Sequence, residues 1–213
     1  MTSSHIIVLP GGGYQDLSPH EGEPVAEWLR GLGTEASVFR YPVQTRHPAP
    51  LEAVRADVRR VRETGVQRVG VLGFSAGGHA AGFAALSPGD EGSRVDAAIL
   101  CYPVVSMQLP THAGSRESLI GADASPELRE ATSLDRLVTA SAPPFFIWHT
   151  AEDASVPVEH SYLLGRALAA YGIPHSLHVF PRGEHGLGMA TDRGTASAWP
   201  ELCAAWLHEL GWI

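Results

Sequence analysis

The chain has 213 residues, 44% of them hydrophobic, a formal net charge of −8 and a mean hydropathy near zero. Those values predict one folded domain, residues 1–213, with a substantial core. They weigh against a nucleic-acid surface, because acidic charge repels phosphates, and against a membrane span, because no apolar run nears the roughly 20 residues a bilayer requires.

Short β-rich runs alternate with helical patterns along the chain. The first strand is expected over His5–Leu9, a helix over Glu21–Leu32, a strand over Glu35–Tyr41 and a helix over Leu51–Thr64. The central unit is a strand at Val69–Leu72 followed by a helix at Ala76–Leu86. Further runs fall at Ala97–Tyr102, Phe145–Thr150, Val158–Tyr171, Ser176–Phe180 and Thr195–Leu210. This rhythm predicts an α/β fold with a mostly parallel sheet of about six strands and helices on both faces. Glu35–Tyr41 would then be an exposed edge strand that a loop, Pro42 or a partner subunit must cover, which makes homodimerisation through this side an expectation. The interval from Pro103 to Pro144, with a short helix at Pro126–Ala131, is too long for a simple connection and reads as a lid or binding-loop insertion.

In parallel sheets, reactive groups gather beyond the carboxyl ends of the strands. Four such segments carry chemistry. Gly73-Phe74-Ser75-Ala76-Gly77 places Ser75 at a sharp strand-to-helix corner, where glycines on either side remove Cβ atoms that would strike the neighbouring strand and helix. A hydroxyl there stands at a helix N-terminus, which favours developing negative charge. The bland alternative is a glycine-rich turn with a capping serine.

A serine hydroxyl needs a histidine to take its proton and a carboxylate to orient that histidine. The strand Phe145–Thr150 ends in Ala151-Glu152-Asp153-Ala154-Ser155-Val156-Pro157, and Asp153 is the expected acid, with Glu152 pointing away or capping the turn. Both carboxylates could instead serve the following helix N-terminus. His185, between Glu184 and Gly186 in the loop after the last strand, is the expected base, although a loop histidine is often merely solvated. After the first strand, Gly11-Gly12-Gly13 can expose backbone N–H groups, so Gly12, Gly13 and Ala76 are candidate oxyanion donors. A phosphate cradle is disfavoured, since no G-K-[ST] or G-x-G-x-x-G follows.

Cys101 and Cys203 lie in apolar segments and read as buried reduced thiols. His175 and His178, three apart in a predicted strand, point to opposite faces, and no H-E-x-x-H or C-x-x-C spacing occurs, so no metal site is expected. Met1–Pro10 has neither a basic start nor a small-residue cleavage site, which points to a cytoplasmic protein.

Taken together, Pro10-Gly11-Gly12-Gly13-Tyr14, Gly73-Phe74-Ser75-Ala76-Gly77-Gly78-His79, the His149–Pro157 segment, His185-Gly186-Leu187-Gly188 and Tyr102-Pro103-Val104-Val105-Ser106-Met107 resemble the small α/β-hydrolase esterases of the acetyl xylan esterase-like group. These are related to the feruloyl/acetyl esterase branch and to hormone-sensitive-lipase-type carboxylesterases. The resemblance implies Ser75 as nucleophile, Asp153 as orienting acid, His185 as base, and Gly12, Gly13 and Ala76 as oxyanion donors. It places Tyr14 and Val156 near the acyl pocket. It further implies hydrolysis of short acyl esters, acetate first, on small molecules such as acetylated sugars or xylo-oligosaccharides, with no metal or organic cofactor. Two departures stand out: Pro10 replaces the histidine that precedes the glycines in hormone-sensitive-lipase-type members, and the glycine loop begins within 13 residues of Met1, without the usual preceding strands. Small-amide hydrolysis and a catalytically silent binding module on the same fold are the competing readings.

Overall fold

The computed structural model describes residues 3–109 and 113–213. Its six strands are β1 (Ser4–Leu9), β2 (Glu35–Val38), β3 (Arg68–Phe74), β4 (Ala97–Cys101), β5 (Phe145–Thr150) and β6 (His175–Phe180). They pair in the order β2-β1-β3-β4-β5-β6, and every pairing is parallel. Among the described residues eight α-helices accompany them: α1 (Glu23–Gly31), α2 (Ala49–Glu63), α3 (Ser75–Leu86), α4 (Ala113–Ile120), α5 (Pro126–Ala131), α6 (Leu134–Leu137), α7 (Glu159–Ala170) and α8 (Trp199–Glu209).

The two-residue period of each strand sorts its side chains between two cores. Ile7, Leu9, Val69, Val71, Ala98, Leu100, Phe145 and Ile147 face one core with residues of α2, α3 and α7. Their neighbours Ile6, Val8, Leu72, Phe74, Ile99, Phe146 and Trp148 face the other, under α1 and α8. Trp148 and Trp199 stack there at 5.4 Å between ring centroids and 15° between planes. Both are fully buried, and each large apolar side chain so placed contributes roughly 1.5–3 kcal/mol.

Several boundaries shift for identifiable reasons. The helix expected from Glu21 splits, because Gly22 ends a 3₁₀ turn at Pro19–Glu21 and Pro24 fits only the first turn of α1. Likewise Thr195–Leu210 divides into a 3₁₀ turn, Gly194–Ala198, and α8, which has Pro200 in its first turn. The edge strand β2 stops at Val38, and Tyr41 turns inward to donate from its hydroxyl to Pro10 O at 2.7 Å. Within 103–144 the helices α4 and α6 accompany the expected α5, and residues 110–112 of that interval lie outside the described residues. Among the described residues no helix is long and apolar enough to cross a membrane.

The chain passes from β1 outward to β2, then returns to place β3 on the other side of β1. Loops leaving β1 and β3 therefore diverge and open a crevice at the carboxyl ends of these strands, the position where parallel sheets bind ligands.

Candidate active site

The β3–α3 corner is as tight as its glycines suggest. Ser75 has φ 52°, in the left-handed region that costs a side-chain-bearing residue energy and persists only where surrounding structure holds it. A Cβ on Gly77 would collide with the carbonyls of Leu9 and Pro10, and one on Gly73 with the Gly77 carbonyl. Every residue of α3 is buried, so the corner is fixed from below as well.

His185 Nε2 lies 2.8 Å from Ser75 Oγ, and its Nδ1 lies 2.6 Å from Asp153 Oδ2. A carboxylate oxygen only accepts, so Nδ1 carries the proton and Nε2 is free to accept from the serine hydroxyl. Asp153 is buried, whereas the His185 side chain keeps 21% of its surface exposed. The acid is held by more than the histidine: its Oδ1 accepts from the N–H groups of Ser155 at 2.9 Å and Val156 at 2.8 Å. Burial alone would raise the Asp153 carboxyl. The hydrogen bonds from His149 and His185, the charge of His185 and the Val156 N–H outweigh it and hold the carboxyl well below the usual carboxylate range. Glu152 is exposed and accepts instead from Gly183 N at 3.3 Å. Exposed Glu184 pairs with Arg193 at 3.0 Å.

The histidine loop is fastened at several points. Thr150 Oγ1 donates to Gly183 O at 2.7 Å, and His20 Nε2 donates to Gly186 O at 2.9 Å. Gly188 N donates to the Tyr102 hydroxyl at 2.8 Å, and Trp199 Nε1 to Gly188 O at 3.1 Å. Tyr102 also sets its ring edge-on to His185, with centroids 5.0 Å apart.

Across the crevice, Gly12 and Gly13 adopt φ 129° and 65°, conformations open to glycine. The N–H groups of Gly12, Gly13 and Ala76 meet no acceptor among the described residues, and Gly12 and Gly13 line the same cavity as Ser75 and His185. This cavity has a volume of about 170 Å³. Ser18, Glu21 and Ser155 complete much of its wall, and no aliphatic side chain lines it among the described residues.

Two expected pocket residues stand elsewhere. Tyr14 is fully buried, and its hydroxyl donates to His79 Nδ1 at 2.7 Å. Its φ of 60° lies in the left-handed region, and its side chain packs in the core. Val156 is also fully buried, and its neighbour Ser155 reaches the cavity instead. Glu21, Tyr102 and His149 are the site residues to which the sequence patterns gave no role, although Tyr102 and His149 fall within segments that carry the family resemblance. Only the "His149…Asp153" spacing in a strand-to-loop segment carried a local signal. Cys101 and Cys203 are buried free thiols, and no cluster of three or more metal-ligating side chains occurs among the described residues.

Comparison with known proteins adds family context to this geometry. Residues 51–210 match the model of the prolyl oligopeptidase family. The chain is 38% identical over 208 residues to endo-1,4-beta-xylanase B of Butyrivibrio fibrisolvens, covering 88% of this chain and 33% of that one. It is 32% identical over 200 residues to an acetylxylan esterase of Xylanibacter ruminicola, covering 87% and 41% respectively. It thus spans between a third and about two fifths of these curated relatives. Among solved structures, an acetyl ester-xyloside bifunctional hydrolase from Caldicellulosiruptor lactoaceticus superposes with a TM-score of 0.94 at 40% identity, over 100% of this chain and 85% of that one. A carboxylesterase from Lactobacillus plantarum superposes with a TM-score of 0.85 at 29% identity, over 100% and 87%.

Proposed function

The chain belongs to the prolyl oligopeptidase family of α/β-hydrolases, and from that premise we propose that it is a serine esterase for short acyl esters, acetate first, on hydroxylated alcohols such as sugars. The observation that carries this reading is the unbroken hydrogen-bonded series Ser75–His185–Asp153 facing a small polar cavity. The names of the relatives, an acetylxylan esterase and an acetyl ester-xyloside hydrolase, agree with it.

In this reading Ser75 Oγ attacks the ester carbonyl while His185 Nε2 takes the hydroxyl proton, and Asp153 stabilises the resulting imidazolium through Nδ1–H. The carbonyl oxygen becomes an oxyanion held by the N–H groups of Gly12, Gly13 and Ala76, each worth about 2.7–4 kcal/mol in the transition state. His185 returns the proton to the departing alcohol, and water then repeats the sequence on the acyl-serine. Ester and water balance the cycle without a redox partner. Among the described residues the wall has no aliphatic side chain for a long acyl chain to pack against, which supports the short-acyl preference.

The test is a rate series on 4-nitrophenyl acetate, butyrate, octanoate and decanoate beside a Ser75→Ala control. A steep fall beyond acetate or butyrate, absent in the control, is the expected result. A matched acetanilide separates ester from amide hydrolysis. Turnover of the amide at a rate comparable to the ester, or no Ser75-dependent rate on any ester, would overturn the proposal.

A further inference from the structure

Glu21 is a charged side chain built into the wall of the cavity that holds Ser75 and His185, and the triad chemistry makes no use of it. It sits in the one-turn 3₁₀ segment Pro19–Glu21 and is 2% exposed. Its Oε2 accepts from Gly11 N at 2.8 Å, and its Oε1 accepts from the Tyr102 hydroxyl at 2.6 Å. Each oxygen therefore has one hydrogen-bond donor. A carboxylate offers about four lone-pair sites, and one removed from bulk water with half of them unused is costly to bury.

The position adds a second cost. Gly11 is pressed between Glu21 and Ser75: a Cβ there would lie 2.7 Å from Glu21 Oε2 and 3.1 Å from Ser75 Cβ. A carboxylate so close to the nucleophile opposes the negative charge that forms on the ester oxygen during attack. Both costs are offset when a donor from the substrate occupies the unused lone pairs. An acyl group carries no such donor, but an alcohol with a free hydroxyl beside its ester does.

We infer that Glu21 is a specificity-determining residue that accepts a hydrogen bond from a free hydroxyl on the alcohol part of the ester, so that partly acylated polyols are favoured over simple esters. The inference rests on the esterase reading above. Its fixed geometry supports selectivity, since Gly11 and Tyr102 hold both carboxylate oxygens in place before substrate arrives. A site built to pair with a hydroxyl discriminates strongly against an analogue that lacks it, because its own polar group is then left unpaired.

The experiment measures kcat/KM for a mono-acetylated methyl xyloside with a free neighbouring hydroxyl and for the analogue whose neighbouring hydroxyl is replaced by hydrogen. Both are run on the wild-type chain and on Glu21→Gln, with Ser75→Ala as the control. The wild type is expected to prefer the hydroxylated substrate by roughly ten- to a hundredfold, the range for a hydrogen bond to a charged group. In Glu21→Gln the preference is expected to shrink to within about threefold. Equal rates of the wild type on both substrates overturn the inference, whether or not the variant folds. So does a preference that survives unchanged in Glu21→Gln, or a loss in the variant that is proportional on both substrates. Absence of any Ser75-dependent ester turnover would instead sink the esterase reading, which keeps the two failures distinct.

Discussion

His149 Nε2 stands 3.2 Å from Asp153 Oδ2, so the acid that holds the site histidine is itself held by a second, fully buried histidine. The same nitrogen lies 2.9 Å from Val156 O, and Nδ1 lies 2.7 Å from Ser161 Oγ. Carbonyl and carboxylate oxygens only accept, so Nε2 carries the proton and Ser161 donates to Nδ1. His149 thus fixes both ends of the turn that delivers Asp153. His149→Leu is expected to lower kcat/KM about tenfold and to destabilise the fold by about 1–3 kcal/mol for the buried groups left unpaired. His149→Gln, which keeps a donor near Nε2, should recover part of both. Ester kinetics beside chemical denaturation check this, and equal losses in the two variants would count against a positioning role.

Asp153 gives a pH signature of its own. Its carboxyl is held below the usual value, so the folded state binds its proton less readily than the unfolded chain. The resulting stabilisation is present above the unfolded value of about 3.9 and is lost as pH falls through the lower folded value. Asp153→Asn should therefore flatten the acid limb of stability below about pH 4. It should also reduce turnover about 10⁴-fold, the scale seen when an acid of this kind is neutralised in a serine protease. Denaturant titrations at successive pH values and ester kinetics measure the two effects.

His79 titrates at the opposite shoulder of the acid range. Burial lowers it to about 4, against the hydrogen bond to Thr132 O that favours its charged form. Nε2 lies 2.7 Å from that carbonyl and so carries the proton, leaving Nδ1 to accept from the Tyr14 hydroxyl. The unfolded chain binds this proton near pH 6.5 and the folded chain near pH 4, so stability is full above 6.5 and declines as pH falls toward 4. The decline amounts to about 3 kcal/mol. His79→Phe should remove this slope while lowering stability at pH 7 by leaving Tyr14 and Thr132 unpaired. A pH series of unfolding free energies that keeps the slope in the variant would contradict the assignment.

The glycine loop should tolerate no side chain at its centre. Gly12 has φ 129°, and a Cβ there would strike the Asp16 carbonyl. Gly12→Ala must shift the loop and misaim its N–H groups, so kcat for 4-nitrophenyl acetate should fall about 10²–10³-fold. Gly172→Ala is the contrasting variant: nothing lies within 4 Å of a Cβ there, and its φ of 68° adds local strain in the α7–β6 connection, which enters β6 at the end opposite the His185 loop. It should cost stability with little change in kcat.

Much of the fold is legible in the sequence. Phe145–Thr150 and Pro126–Ala131 match their elements end to end, because proline bounds each and the apolar pattern is unambiguous. The corner at Ser75 was visible because Gly73 and Gly77 answer a local steric demand. The strand β3 was expected to stop at Leu72, however, since Gly73 reads as punctuation when its purpose is to let the Gly77 carbonyl approach. Helix α4 escaped because Ala113–Ile120 has no marked apolar stripe, and α6 because four residues carry no period. The misplacement of Tyr14 and the silence of Glu21 share one cause. Each is fixed by partners far along the chain, His79 for Tyr14 and Tyr102 for Glu21, and local pattern does not report such contacts.

Strand order has a final consequence for how the site comes into being. The glycine loop and Ser75 follow β1 and β3, within the first 76 residues, whereas Asp153 and His185 follow β5 and β6. Between them lies only β4, which pairs with β3 on one edge and β5 on the other. Cleaving the chain between α3 and β4 would leave Ser75 on one fragment and Asp153 and His185 on the other, so the proposed nucleophile would be parted from its proposed base. On the esterase reading, turnover would gauge the completed sheet, and two such fragments would regain it only by zipping together along β3 and β4.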